Sequence, residues 1–179
     1  MKPLISLLLL IPNLVFASVS LDGEFSCTVK SIQTTEVKNG QPTLSNNSVF
    51  KEGEVVPLKY FSTDVAPKHW SWKKDHLFLT FEKSEKKSLI GTILKPFNFS
   101  LNNQKSVEMK GLFPLDFMYF DEDHFFVNTN VSRLSLHRYY KSDWGGYITE
   151  FSKERATTLS VDCRTVRDDF AKLLQLPHN

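Results

Sequence analysis

Residue types able to do chemistry are few and scattered in this chain. Five histidines (His69, His76, His124, His137 and His178), two cysteines (Cys27 and Cys163) and 20 carboxylates are set among 179 residues. A metal centre needs several imidazoles, thiolates or carboxylates converging on one ion, and His-x-x-x-His, His-Glu-x-x-His or Cys-x-x-Cys spacings announce it. None occurs, so no metal ligand and no cofactor are assigned. His69 and His76 flank Trp70-Ser71-Trp72-Lys73-Lys74-Asp75 and would meet only across a hairpin turn; they read as surface histidines. The densest run of donors, Asp121-Glu122-Asp123-His124, lacks the alternating Asp-x-Asp-x-Asp-Gly of a calcium loop and reads as a solvated acidic turn between two apolar strands.

Nucleophile signatures are equally thin. There is no Gly-x-Ser-x-Gly elbow, and Ser84-Glu85-Lys86-Lys87 matches Ser-x-x-Lys only inside a charged turn. Gly145-Gly146 lacks the lysine and helix start with which glycine loops cradle phosphate. No catalytic residue is assigned. An envelope hydrolase is the alternative function, with Asp116, Asp121, His124 and His137 as groups that would converge only in three dimensions.

Aromatic residues offer more. Trp70 and Trp72 lie two apart, hence on one face of a strand, and with Lys68, Lys73 and Lys74 beside them would stack a ring-shaped ligand if exposed or form core if buried. Phe117 and Tyr119 belong to Leu112 to Phe120, a stretch apolar on both faces that is expected to be buried on two sides or to line a cavity. Tyr139, Tyr140, Trp144 and Tyr147 crowd one hairpin, where they would make a recognition patch or cross-strand pairs. Candidate binding residues are therefore Trp70, Trp72, Phe117, Tyr119, Tyr139 and Trp144.

The elements that must position these residues are strands. Alternation of period two marks Phe25 to Val29, Glu54 to Phe61, Trp70 to Trp72, Leu77 to Phe81 and Leu89 to Leu94. Shorter candidates follow at Phe97 to Leu101 and Val107 to Met109, then Arg133 to Lys141, Tyr147 to Phe151 and Thr157 to Cys163. Asn39-Gly40 is the strongest turn dipeptide, because both residues tolerate positive φ, and the polar segment after it to Gly53 reads as loop. Ser142 to Gly146 reads as a hairpin connector.

Near the end the period changes. Thr165 with Asp168 suggests a capping box, and Val166, Phe170, Leu173 and Leu174 share a helical face until Pro177. The expected fold is mainly β, an antiparallel β-barrel or sandwich with the barrel favoured, plus one C-terminal α-helix.

Met1-Lys2 followed by an apolar run and Val15-Phe16-Ala17 predicts a signal peptide over residues 1–17 and a single β-rich domain over residues 18–179. In an oxidising, exported setting, periplasmic or extracellular, Cys27 and Cys163 are expected to pair and to tie the first strand to the last. Hydrophobic residues at 41% and aromatics at 13% supply a folding core. Loss of Lys2 with the leader would lower the net charge of +2 to +1, too weak a field to steer nucleic acid, and no later apolar run approaches the ~20 residues of a membrane span. Sequons stand at Asn46, Asn98 and Asn130. The expected function is a non-enzymatic binding module for a small apolar or amphipathic ligand or for a protein partner. A third reading is an inhibitor presenting Ser142 to Gly146.

Overall fold

The structure, a computed structural model, describes residues 22–62, 77–84, 87–94, 98–102, 106–110 and 117–168. The leader expected over residues 1–17, the strand expected over Trp70 to Trp72 with its flanking histidines, Asp116 and everything after Asp168 lie outside the described residues. Among the described residues there are twelve strands, all in one antiparallel sheet, and no helix.

Strand β1 (Asp22–Lys38) is long enough to serve two partners on one edge. Its first half pairs with β3 (Val55–Ser62) and its second half with β2 (Gln41–Ser45), while β12 (Arg155–Asp168) runs along its other edge. β2 was expected to be loop. It becomes a strand because Asn39 (φ 55°) and Gly40 (φ 75°) reverse the chain tightly and lay Gln41–Ser45 back onto Thr34–Lys38. From β3 the sheet continues to β4 (Leu77–Ser84) and β5 (Lys87–Leu94). On the other side β12 leads through β11 (Asp143–Phe151), β10 (Ser132–Tyr140), β9 (His124–Asn128), β8 (Phe117–Asp121) and β7 (Ser106–Lys110) to β6 (Asn98–Asn102). The order is an up-and-down meander whose first and last strands are neighbours, and among the described residues no ladder joins β5 to β6.

Ring contacts show how strongly this sheet bends. β1 and β9 are separated by β12, β11 and β10, which would put them about 19 Å apart in a flat sheet with ~4.8 Å between strands. Phe25 and Phe125 nevertheless stack at 5.6 Å, and Tyr60 of β3 meets the same Phe125 ring edge-on at 5.5 Å. The sheet is a curled half-barrel, with a core of Phe25, Tyr60, Phe120, Phe125 and Trp144 on its concave side.

Cys27 and Cys163 are bonded directly across the β1–β12 ladder and are buried. They lie 136 positions apart, and closing so long a loop costs the unfolded chain about 5 kcal/mol of entropy, less whatever structure the unfolded state retains. Both cysteines share the inward face because β1 and β12 alternate in step. A bulge at Lys30 then changes the parity of β1: Phe25, Cys27 and Val29 point inward before it, Ile32 and Thr34 after it. The extra residue keeps Thr34 opposite Thr157, where the two buried hydroxyls bond at 3.3 Å.

The C-terminal helix was expected to begin at Thr165. Thr165 to Asp168 instead belong to β12 and pair with Phe25, Glu24 and Gly23. Val166, counted on the apolar helical face, is the bulged residue and is 62% exposed. Asp168, read as part of a cap, accepts a 2.6 Å hydrogen bond from the Tyr60 hydroxyl. Tyr60 reaches it by crossing Gly23, where a Cβ would stand 1.9 Å from the ring, so only glycine leaves room.

Candidate functional site

The alternation that fills the core also exposes a second row of side chains on the convex face. In β8 Met118 and Phe120 point inward and leave Phe117, Tyr119 and Asp121 outside; in β9 Phe125 and Val127 point inward and leave His124, Phe126 and Asn128 outside. In β10 Leu134 and Leu136 are buried, with Arg133, Ser135 and His137 outside. Register then sets neighbours: Phe126 faces Tyr119 on one side and Ser135 on the other, and His124 faces His137. A groove of about 340 Å³ opens on this face, lined by Tyr119, Asp121, His124, Phe126, Ser135 and Leu136.

Asp121 organises one end of it. Its Oδ1 accepts hydrogen bonds from the amides of Asp123 (2.8 Å) and His124 (2.6 Å), which folds the acidic segment into a tight turn between β8 and β9. Its Oδ2 accepts a 2.7 Å hydrogen bond from the Tyr119 hydroxyl. The imidazole Nδ1 of His124 approaches both oxygens, at 3.1 and 3.2 Å. Partial burial pushes the Asp121 carboxyl upward, yet the hydrogen bonds from Tyr119, Asp123 and His124 together outweigh it and hold the group below the ordinary carboxylate range. A carboxylate only accepts, so the Nδ1 facing it is the donor of that contact. The His137 ring lies beside it, 4.7 Å between centroids and tilted by 60°.

Asp121 and His124, three residues apart along the chain, are thus brought together with His137. Phe126 and Ser135 were not singled out; the signal that finds them is their parity with Tyr119 and His137 once the ladders are known. Phe117 is half-buried beside Phe126, with ring centroids 6.2 Å apart. Tyr139, Tyr140 and Tyr147 are all more than half exposed, at 61%, 57% and 59%, and Tyr139 lies over Gly145, its ring 3.5 Å from where a Cβ would stand. Trp70 and Trp72 are outside the described residues.

Trp144 is placed differently from its hairpin neighbours. It is fully buried, edge-on to Phe25 at 5.6 Å and stacked with Phe120 at 6.3 Å, and its Nε1 donates to the Thr165 hydroxyl at 2.9 Å. The Arg138 guanidinium lies 4.7 Å from its ring centroid, a cation over a π face. The expected connector Ser142 to Gly146 is not a loop, because β11 begins at Asp143 and only Lys141 and Ser142 turn the chain. Trp144 therefore has no surface to present to a partner.

Among the described residues no group of three or more metal-ligating side chains converges, and no helix is long and apolar enough to cross a membrane. No protein-family model, no curated protein and no solved structure matches the chain.

Proposed function

We propose that the protein is a disulfide-stapled binding module that takes a small amphipathic ligand on its convex face, in the groove between β8, β9 and β10. The observation that carries this reading is the groove itself. Tyr119 and Phe126 offer apolar wall, while Asp121, His124 and Ser135 place polar groups beside them, and about 340 Å³ lies at the lower end of the range for small-molecule sites. The concave side is the poorer candidate, since Phe25, Tyr60, Phe120, Phe125 and Trp144 interdigitate there with essentially no exposure. The buried disulfide fits a protein that works in an oxidising, exported compartment.

Ser135→Trp tests the reading. Its large ring should fill the groove from an exposed position and lower the affinity for any amphipath found by ligand-observed NMR at least tenfold, with melting temperature unchanged. Equal binding by wild type and variant would move the site elsewhere.

A second reading, an envelope hydrolase, has two observations in its favour: the Asp121 carboxylate lies against His124 Nδ1 as the orienting group of a general base does, and Ser135 lines the same groove. Hydrolysis of a chromogenic ester that vanishes in His124→Ala would support it. Rates equal to buffer would dismiss it.

A further inference from the structure

We propose that His124 and His137 form a site for one divalent transition-metal ion of borderline softness, such as zinc, nickel or copper. The two residues are directly opposite each other on β9 and β10 and belong to the convex face. Imidazole nitrogen binds such ions at ~2.0–2.1 Å, which places each ring centre roughly 3.2 Å from a shared ion. Two arms of that length whose ring centres are 4.7 Å apart subtend an angle of about 95° at the ion, between the octahedral and tetrahedral values. Register and side-chain rotamers together therefore set the two ring centres at a spacing that one shared ion can bridge.

The surroundings of His124 point the same way. Imidazoles that ligate metals commonly donate their second N–H to a carboxylate, which fixes the tautomer and raises the basicity of the ligating nitrogen. Asp121 is placed to accept that bond: its carboxylate, itself hydrogen-bonded by Tyr119 and the two turn amides, lies 3.1 Å from the His124 Nδ1. Half of the His124 side chain, 52%, is exposed, so its Nε2 is reachable without any rearrangement of the core.

Two imidazoles fall short of the three or four protein donors that a permanent structural or catalytic metal takes. The site is an open one, in which water or an incoming ligand fills the other positions and the ion exchanges with solvent. It rests on the proposed function in that the ion would lie at the groove end and offer its vacant positions to an oxygen or nitrogen of the ligand.

The experiment uses the metal alone. The disulfide-bonded protein is stripped with chelator and titrated separately with zinc, nickel, copper and magnesium salts, read by calorimetry and by NMR of the histidine ring signals. Expected are one zinc, nickel or copper ion per chain, shifts confined to His124 and His137, and no response to magnesium. His124→Ala and His137→Ala should each lower the affinity at least tenfold, and Asp121→Asn about tenfold through the positioning of His124. Unshifted His124 and His137 rings at saturating zinc would overturn the proposal without any substitution, as would undiminished affinity in the double alanine variant. An ion that binds to Ser135→Trp while organic ligand does not shows the metal site standing apart from the groove's ligand; absence of ion binding in the wild-type protein with ligand binding intact overturns the metal site alone.

Discussion

The two faces of the β8–β10 ladder are made by the same residues taken alternately, and they differ in every physical respect. Inward, Met118, Phe120, Phe125, Val127, Leu134 and Leu136 are at most 1% exposed, and the rings of Phe120 and Phe125 contact each other and those of Phe25, Tyr60 and Trp144. Outward, Tyr119, Asp121, His124 and His137 are joined in sequence by hydrogen bonds and a ring contact, with Phe126 and Ser135 beside them along the same groove. A change on the inner face must act on stability because close-packed atoms have nowhere to relax. A change on the outer face has water to replace what it loses.

The inner face should show the largest effects. Phe125→Ala removes a ring that contacts Phe25, Tyr60 and Phe120, and is expected to cost about 3–5 kcal/mol in urea unfolding. Reduction of Cys27–Cys163, or its replacement by serines, should cost about 2–5 kcal/mol, read as a shift of the urea midpoint with and without reductant. Tyr60→Phe retains the ring over Gly23 and deletes only the hydrogen bond to Asp168, so about 1 kcal/mol is expected. If any of these matched the cost of an outer-face change, the contrast between the faces would be wrong.

At the other extreme, His137→Ala and Ser135→Trp should move stability by no more than about 0.5 kcal/mol while altering metal and ligand binding respectively. Glu150 sharpens the comparison, as an ionisable group of β11 opposite the buried Ser132 and Thr157. Desolvation pushes its carboxyl up, and the nearby Arg155 pulls against this without cancelling it. With the folded value raised, the native state holds a proton that the unfolded chain releases, so this contribution to stability is present below the ordinary glutamate value of 4.5 and is lost as pH rises through the folded one. Glu150→Gln should therefore flatten the stability profile in that window. The change should stay under about 1 kcal/mol because solvent screens a half-exposed group. Urea midpoints measured every half pH unit for both proteins check the sign.

Much of the strand content was legible because alternation is local. Phe25 to Val29 and Thr157 to Cys163 announce their buried faces within a few residues, and Asn39-Gly40 announces its turn by what its φ angles allow. Val166 misled for the same reason: an apolar residue two places beyond Arg164 fits a helical face as well as a bulge, and only the pairing of Glu24 with Arg167 and Phe25 with Thr165 decides between them. Trp144 misled because a tryptophan in a turn-rich stretch reads as exposed until its cross-strand partner is known to be Cys163. The groove was half legible. Asp121 and His124 are three residues apart and could be considered together, whereas Phe126, Ser135 and His137 join them only through register.

Order along the chain settled the spacing of apolar residues, the site of the tight turn and the only two sulfurs that could bond, because each depends on a residue and its immediate neighbours. Which face became concave, where a bulge reversed the parity, and which imidazole came to lie against which were decided by strands distant in sequence lying side by side. Period two specifies that a strand has two faces, and only the curl of the assembled sheet specifies which of them meets water.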